Sequence, residues 1–198
     1  MTILQGLRLI ERYGLPHPEW QFVRYSEELK IGRMRDYVGW TIRTVALIKS
    51  KKKWKNVFVN WIPKREVPAR LDALQKQQEG EAIFVVYPSW TWKKAGAIMS
   101  EGMRVTIEGV YGSINDLSRK GKVHSQFLYH RHELQHKYGD QSFFAPEEKR
   151  VIRHACAQLM GKDLIAEFAV TTKNKLIFFR LEQLHEAARL LIEKYSPS

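Results

Sequence analysis

The chain has 198 residues, with 33 Lys and Arg against 21 Asp and Glu for a formal charge of +12, and 44% of it is hydrophobic. Its 6 Trp, 8 Tyr and 9 Phe furnish a core and exclude a disordered chain, while a single cysteine, Cys156, excludes an internal disulfide and a multi-cysteine zinc site. The basic balance points to polyanions (nucleic acid, nucleotide phosphates or an acidic partner) without choosing among them.

Leu4, Leu7 and Ile10 recur at helical spacing, and Gly14 follows as a stop. This N-terminal stretch lacks the apolar core of a signal peptide, and no run approaches the ~20 apolar residues of a membrane helix. A cytoplasmic protein is expected. The prolines of GLPHPEW impose an extended path, QFVRY reads as a short strand, and Ser26 is placed to cap a short acidic helix, EELKIGRMR. Residues 37–47 are β-branched and aromatic and predict a strand, and NVFVNWI predicts another after the run KSKKKWK. A helix is expected over 65–80, then a buried strand, EAIFVVYPS, ended by Pro88.

Beyond Pro88 the pattern turns to antiparallel strands: AGAIM, RVTIEGVY and VHSQFLYH, separated by Gly- and Lys-rich turns. PEEKRVIRHACAQLMG is the clearest helix, with Pro146 and acids in its first turn and Gly161 as its stop. LIAEFAVTT and KLIFFRLEQL form a hairpin by spacing, and HEAARLLIEKY reads as a closing amphipathic helix. The fold class is therefore α+β. A hinge is expected near 86–94, dividing a small α/β lobe at 1–88 from a sheet-dominated lobe at 89–198, with a cleft where a ligand can bind.

Three features carry chemistry. Glu167 and Glu182 interrupt otherwise apolar hairpin strands. Acids there are costly unless they face a cleft, a cation or a partner, and two of them on neighbouring strands can converge on a Mg²⁺. The plainer alternative is the solvated face of an edge hairpin. SWTWKKAGAIM, residues 89–99, offers hydroxyls, Lys93, Lys94 and a glycine, a loop able to close over phosphates. Its glycine spacing matches neither a Walker nor a dinucleotide fingerprint, and solvated Lys-Lys turns are common. Arg43, within GWTIRTV, requires an anion: a phosphate, or an ion pair with Asp36 or Glu108.

These segments, in this order, resemble the ATP-grasp nucleotide-binding domain of phosphoenolpyruvate synthase and pyruvate phosphate dikinase. GLPHPEW is similar to the family's Gly-Leu-Pro-x-Pro segment, and GWTIRTV to the strand bearing its phosphate-contacting arginine, here Arg43. VTIEGVYGSINDLSRKGKV resembles the family's strand, Glu-containing turn and Trp-Gly-like pair, with Glu108, Tyr111 and Gly112. DLIAEFAV is similar to Asp-Ile-Glu-Trp-Ala, placing Glu167 at a metal-binding acid, and KLIFFRLE resembles the strand ending in Leu-Gln-x-Arg. The resemblance implies a two-lobed architecture with mainly antiparallel sheets and flanking helices, and ATP with Mg²⁺ as cofactors. It implies Glu167 and Glu182 as metal ligands, and Arg43, Lys93, Lys94 and Glu108 in the nucleotide site. Arg180 and Lys93 are the candidates for catalysis, by phosphoryl transfer or ligase-type chemistry. The family's final Gln and Arg align with Arg180 and Glu182, which removes an arginine and installs an acid, so a catalytically degenerate relative is the alternative implied.

Two other readings stand beside this one. Lys49, Lys51, Lys52, Lys53 and Lys55 surround Trp54, a recipe for phosphate contacts plus base stacking in a module that binds RNA or single-stranded DNA. His132-Glu133-Leu134-Gln135-His136 has zinc-peptidase spacing, provided that it is helical. Ser142 stands where one variant of that motif needs a third histidine.

Overall fold

The computed structural model describes residues 1–34, 37–47, 57–79 and 81–184. The lysine run around Trp54, Asp36 and the helix expected over 185–195 lie outside the described residues. The described residues form two compact units, one spanning Pro18–Trp90 and the other made of Ile3–His17 with the described residues from Thr91 on. The first helix thus belongs to the larger unit and not to a lobe at 1–88.

In the Pro18–Trp90 unit, four antiparallel strands are ordered β1-β4-β2-β3: β1 (Gln21–Val23), β2 (Trp40–Leu47), β3 (Phe58–Ile62) and β4 (Ala82–Pro88). Alternation along β2 and β4 sends Trp40, Ile42, Phe84 and Val86 to one side. There they pack with Val67, Leu71 and Leu74 of α2 (Val67–Gln77). The acidic helix expected after Ser26 is only a pair of 3-10 turns, Ser26–Glu28 and Ile31–Arg33, broken by the extended Leu29.

The larger unit holds a six-stranded antiparallel sheet ordered β10-β9-β5-β6-β7-β8. Its strands are β5 (Trp92–Glu101), β6 (Arg104–Tyr111), β7 (Ser125–His130), β8 (Glu133–Gly139), β9 (Leu164–Thr171) and β10 (Leu176–Gln183). One face carries Ile98, Ile107, Phe127, Ala166, Phe168, Phe178 and Leu181, all buried. The helices α1 (Ile3–Arg12) and α4 (Pro146–Leu159) contribute Leu7, Ile10, Ile152, Ala155 and Leu159 to the buried core. α4 starts as its sequence dictates, with Pro146 in the first turn and Glu148 accepting the Ala145 N–H at 2.9 Å.

Cys156 is wholly buried on the core side of α4, and burial pushes its thiol well above the usual range. A disulfide reagent such as DTNB is expected to leave it untouched in the native protein and to titrate it once urea unfolds the chain.

A short helix unforeseen from sequence, α3 (Ile114–Lys120), joins β6 to β7. Ser113 caps it through Asn115 N–H, and Gly121 ends it in the left-handed region at φ 62°. The histidine-rich segment is strand β8, paired with β7, and not a helix. Among the described residues no helix is long and apolar enough to cross a membrane.

Candidate functional site

Pairing registers line up one row of side chains across the face of the six-stranded sheet opposite α4. Arg180 lies opposite Glu167, Glu167 opposite Ala97, Ala97 opposite Glu108, and Glu108 opposite Gln126. Directly paired residues share a face, so these polar groups collect on the side that α4 leaves open. Glu182 joins them from the next outward position of β10, opposite Ile165.

An irregularity in β10 makes this possible. The register slips between Phe178 and Arg180, so Phe179 is the extra residue of a bulge. Phe178 and Leu181 stay in the core, Phe179 packs against the open-face cluster of Ala95, Ala97 and Ala169, and Arg180 turns toward Glu167. Re-aiming one side chain is what a bulge does.

Arg180 Nη1 lies 3.4 Å from Glu167 Oε1, and its Nη2 lies 2.9 Å from Glu182 Oε2. Glu167 is buried, and the guanidinium is the most solvent-facing member of the trio, its side chain 37% exposed against 11% and 21% for the two acids. Glu108 accepts a hydrogen bond from Gln126 Nε2 at 2.9 Å. Beside this row lies a cleft of about 510 Å³, floored by Ala97, Met99 and Ile165 and walled by Ser118, Arg119 and Lys120 of α3. Lys120 pairs with Asp116 at 2.7 Å, and that contact lowers the Asp116 carboxyl below its ordinary value.

Lys94 does not face this cleft. A register slip between Trp92 and Lys94 puts it on the α4 face, buried, with its ammonium 2.6 Å from Glu148 and donating to the Phe143 carbonyl. A phosphate role for Lys94 is therefore replaced by a core ion pair. Lys93 is exposed and donates to Asn174 in the β9–β10 turn. Arg43 lies on β2 in the Pro18–Trp90 unit, on the face away from α2, and close enough to Tyr87 to act on it. Burial raises the Tyr87 phenol to about 12, with Arg43 opposing part of that rise.

The zinc-peptidase geometry is not realised. His132 sits in a turn at φ 66°, Glu133 ion-pairs with Arg153 at 3.1 Å, and His136 meets the Phe127 ring edge-on at 5.3 Å. Among the described residues no three His, Cys, Asp or Glu side chains are gathered for a metal.

No protein-family model matches this chain, and no curated protein matches it in sequence. Solved structures do match its fold. One is a D-alanine-D-alanine ligase from Coxiella burnetii, with TM-score 0.51 and 12% identity over 90% of this chain and 45% of that one. Another is an L-amino acid ligase from Bacillus licheniformis, with TM-score 0.52 and 11% identity over 95% and 41% of the two chains. A third, an N5-carboxyaminoimidazole synthase from Aspergillus clavatus in complex with ADP and 5-aminoimidazole ribonucleotide, has TM-score 0.52 and 12% identity over 91% and 43%. The chain has an ATP-grasp-like fold. The likeness is to ATP-grasp ligases and not specifically to the phosphoenolpyruvate synthase type, and the chain spans less than half the length of these three neighbours.

ATP-grasp chemistry implies a divalent ion, for which Glu167 and Glu182 are this chain's candidates. They do converge, but onto Arg180. Mg²⁺ needs carboxylate oxygens at about 2.0–2.1 Å in near-octahedral geometry. Both acids are already bonded to a guanidinium that stays protonated at any ordinary pH. In this arrangement the donor set does not fit a magnesium ion.

The α3 wall was not foreseen from sequence. Its signal was present in Ser113 and Gly121, which bracket INDLSRK as cap and stop. Gln126, the partner of Glu108, carried no signal of its own.

Proposed function

We propose that the chain binds a nucleoside triphosphate, with ATP as the leading candidate, on the open face of its six-stranded sheet. The observation that carries this reading is the row Arg180–Glu167–Ala97–Glu108 beside the α3-walled cleft, within an ATP-grasp-like fold. The nucleobase would lie on the apolar floor of Ala97, Met99 and Ile165. Glu108 is placed to meet ribose hydroxyls, and Arg180, Lys93 and Lys120 supply positive charge for phosphates. The chain spans less than half the length of these ligase neighbours, so binding, and not turnover, is the function proposed.

Titration calorimetry of the full chain with ATP tests this. Saturable binding is expected, weakened at least tenfold, about 1.4 kcal/mol, by Ile165→Trp, which fills the cleft floor. Circular dichroism would report that the variant remains folded. An absence of ATP binding by the wild type, with or without Mg²⁺, would overturn the reading.

A further inference from the structure

We infer that Arg180 is the built-in cation of this site, standing between Glu167 and Glu182 where a divalent ion would otherwise stand. Nucleotide phosphates then meet a guanidinium and need no metal bridge. This rests on the nucleotide-binding reading above.

Three observations converge on it. The two contacts come from different nitrogens of one fork, Nη1 to Glu167 and Nη2 to Glu182, so a single group spans both acids. The bulge at Phe179 exists on the strand that delivers Arg180, and it brings the arginine to the acid face while Leu181 remains buried. Glu108, the nearest further acid in the row, is held by Gln126.

The charges explain why guanidinium and metal exclude one another. Two carboxylates and one guanidinium sum to −1. A divalent ion bonded to the same oxygens would sit within a few ångströms of the guanidinium, and at 4 Å a double charge repels a single one by roughly twice the unit interaction. Arginine cannot give up its proton to relieve this. It can, however, hold both acids and still present N–H groups outward, because its fork carries five donors. Its greater exposure than either acid makes it the group that an arriving phosphate meets first.

The test uses the full chain stripped of metal with EDTA. ATP is titrated by calorimetry in EDTA and again in excess Mg²⁺, and Mn²⁺ without nucleotide is followed by electron paramagnetic resonance. The wild type should bind ATP with Kd values within threefold of each other in the two buffers, and should hold no stoichiometric Mn²⁺. Arg180→Gln, which frees the carboxylates while keeping a polar side chain, should gain one Mn²⁺ site. ATP binding seen only with Mg²⁺, or a wild-type Mn²⁺ site lost in Glu167→Gln, would overturn the inference. A folded Arg180→Gln variant that binds no Mn²⁺ would also overturn it. Failure of ATP to bind in either buffer removes the nucleotide reading instead, and the two wild-type arms need no variant to fold.

Discussion

Replacing Glu148 with alanine is expected to destabilise the protein by about 3–5 kcal/mol, read as a lower urea midpoint at unchanged m-value. Glu148 and Lys94 form a buried pair, 2.6 Å apart, with side chains only 6% and 9% exposed. The ammonium also donates to the Phe143 carbonyl and lies over the Phe143 and Phe144 rings at 5.2 and 5.7 Å. Truncating the acid strands that charge in an aromatic pocket, where water cannot replace the lost partner. It also frees the Ala145 N–H that Glu148 accepts at the start of α4. The double variant Lys94→Met/Glu148→Leu should recover most of the loss, because a well-packed apolar pair removes both desolvation costs together. A cost below about 1 kcal/mol for Glu148→Ala would mean that water reaches the pair.

The second large effect is expected at Gly6. A Cβ added there would stand 1.9 Å from the Leu181 carbonyl oxygen and 3.0 Å from its carbon. The clash is with strand backbone, not with the end of a flexible side chain, so α1 must lift from β10 as a unit. Overpacking of this kind costs about 1–3 kcal/mol, and the rigid partner places Gly6→Ala at the upper end. That exceeds the gain a Gly→Ala change ordinarily brings to a helix, about 1 kcal/mol. Leu181 sits between Arg180 and Glu182 on β10, so the displacement should also weaken ATP binding. Thermal unfolding together with calorimetry measures both, and a Gly6→Ala protein as stable as the wild type would show that the helix can slide at no cost.

The sequence made the acids of the hairpin legible and left their cation hidden. Glu167 and Glu182 stand out because charge inside LIAEFAV and LIFFRLE has to be explained by a partner. That the partner is Arg180 depends on a slip in phase. The buried residues of β10 are Leu176, Phe178 and Leu181, spaced by two and then by three, and the consecutive Phe178 and Phe179 mark the break. The same effect hid the role of Lys94. Lys93 and Lys94 are equivalent by pattern, and only the slip after Trp92 sends one to solvent and the other into the core. The histidine motif was ambiguous for a different reason. His132 and His136 are four apart, as on one face of a helix, but positive φ at Arg131 and His132 forms a tight reversal, and pairing to β7 makes residues 133–139 a strand. Architecture was more legible than roles, because turn residues and apolar runs lie in the local sequence whereas side-chain partners come from strands many residues apart.

The order of the six-stranded sheet bears on how the site comes into being. The pairings β5–β6, β6–β7, β7–β8 and β9–β10 each join strands that are neighbours in the chain. β5–β9 is different, since it brings Ala97 beside Glu167 across some seventy residues. Closing that seam carries the larger loop entropy and is the slower event in assembly. Arg180, Glu167 and Glu182 all lie within the β9–β10 hairpin, on one side of the seam, so the ion-pair trio can form before the halves dock. Glu108 and α3 arrive from the other side. The row of polar residues is thus completed only when the last long-range pairing zips shut, and until then neither half carries the whole cleft.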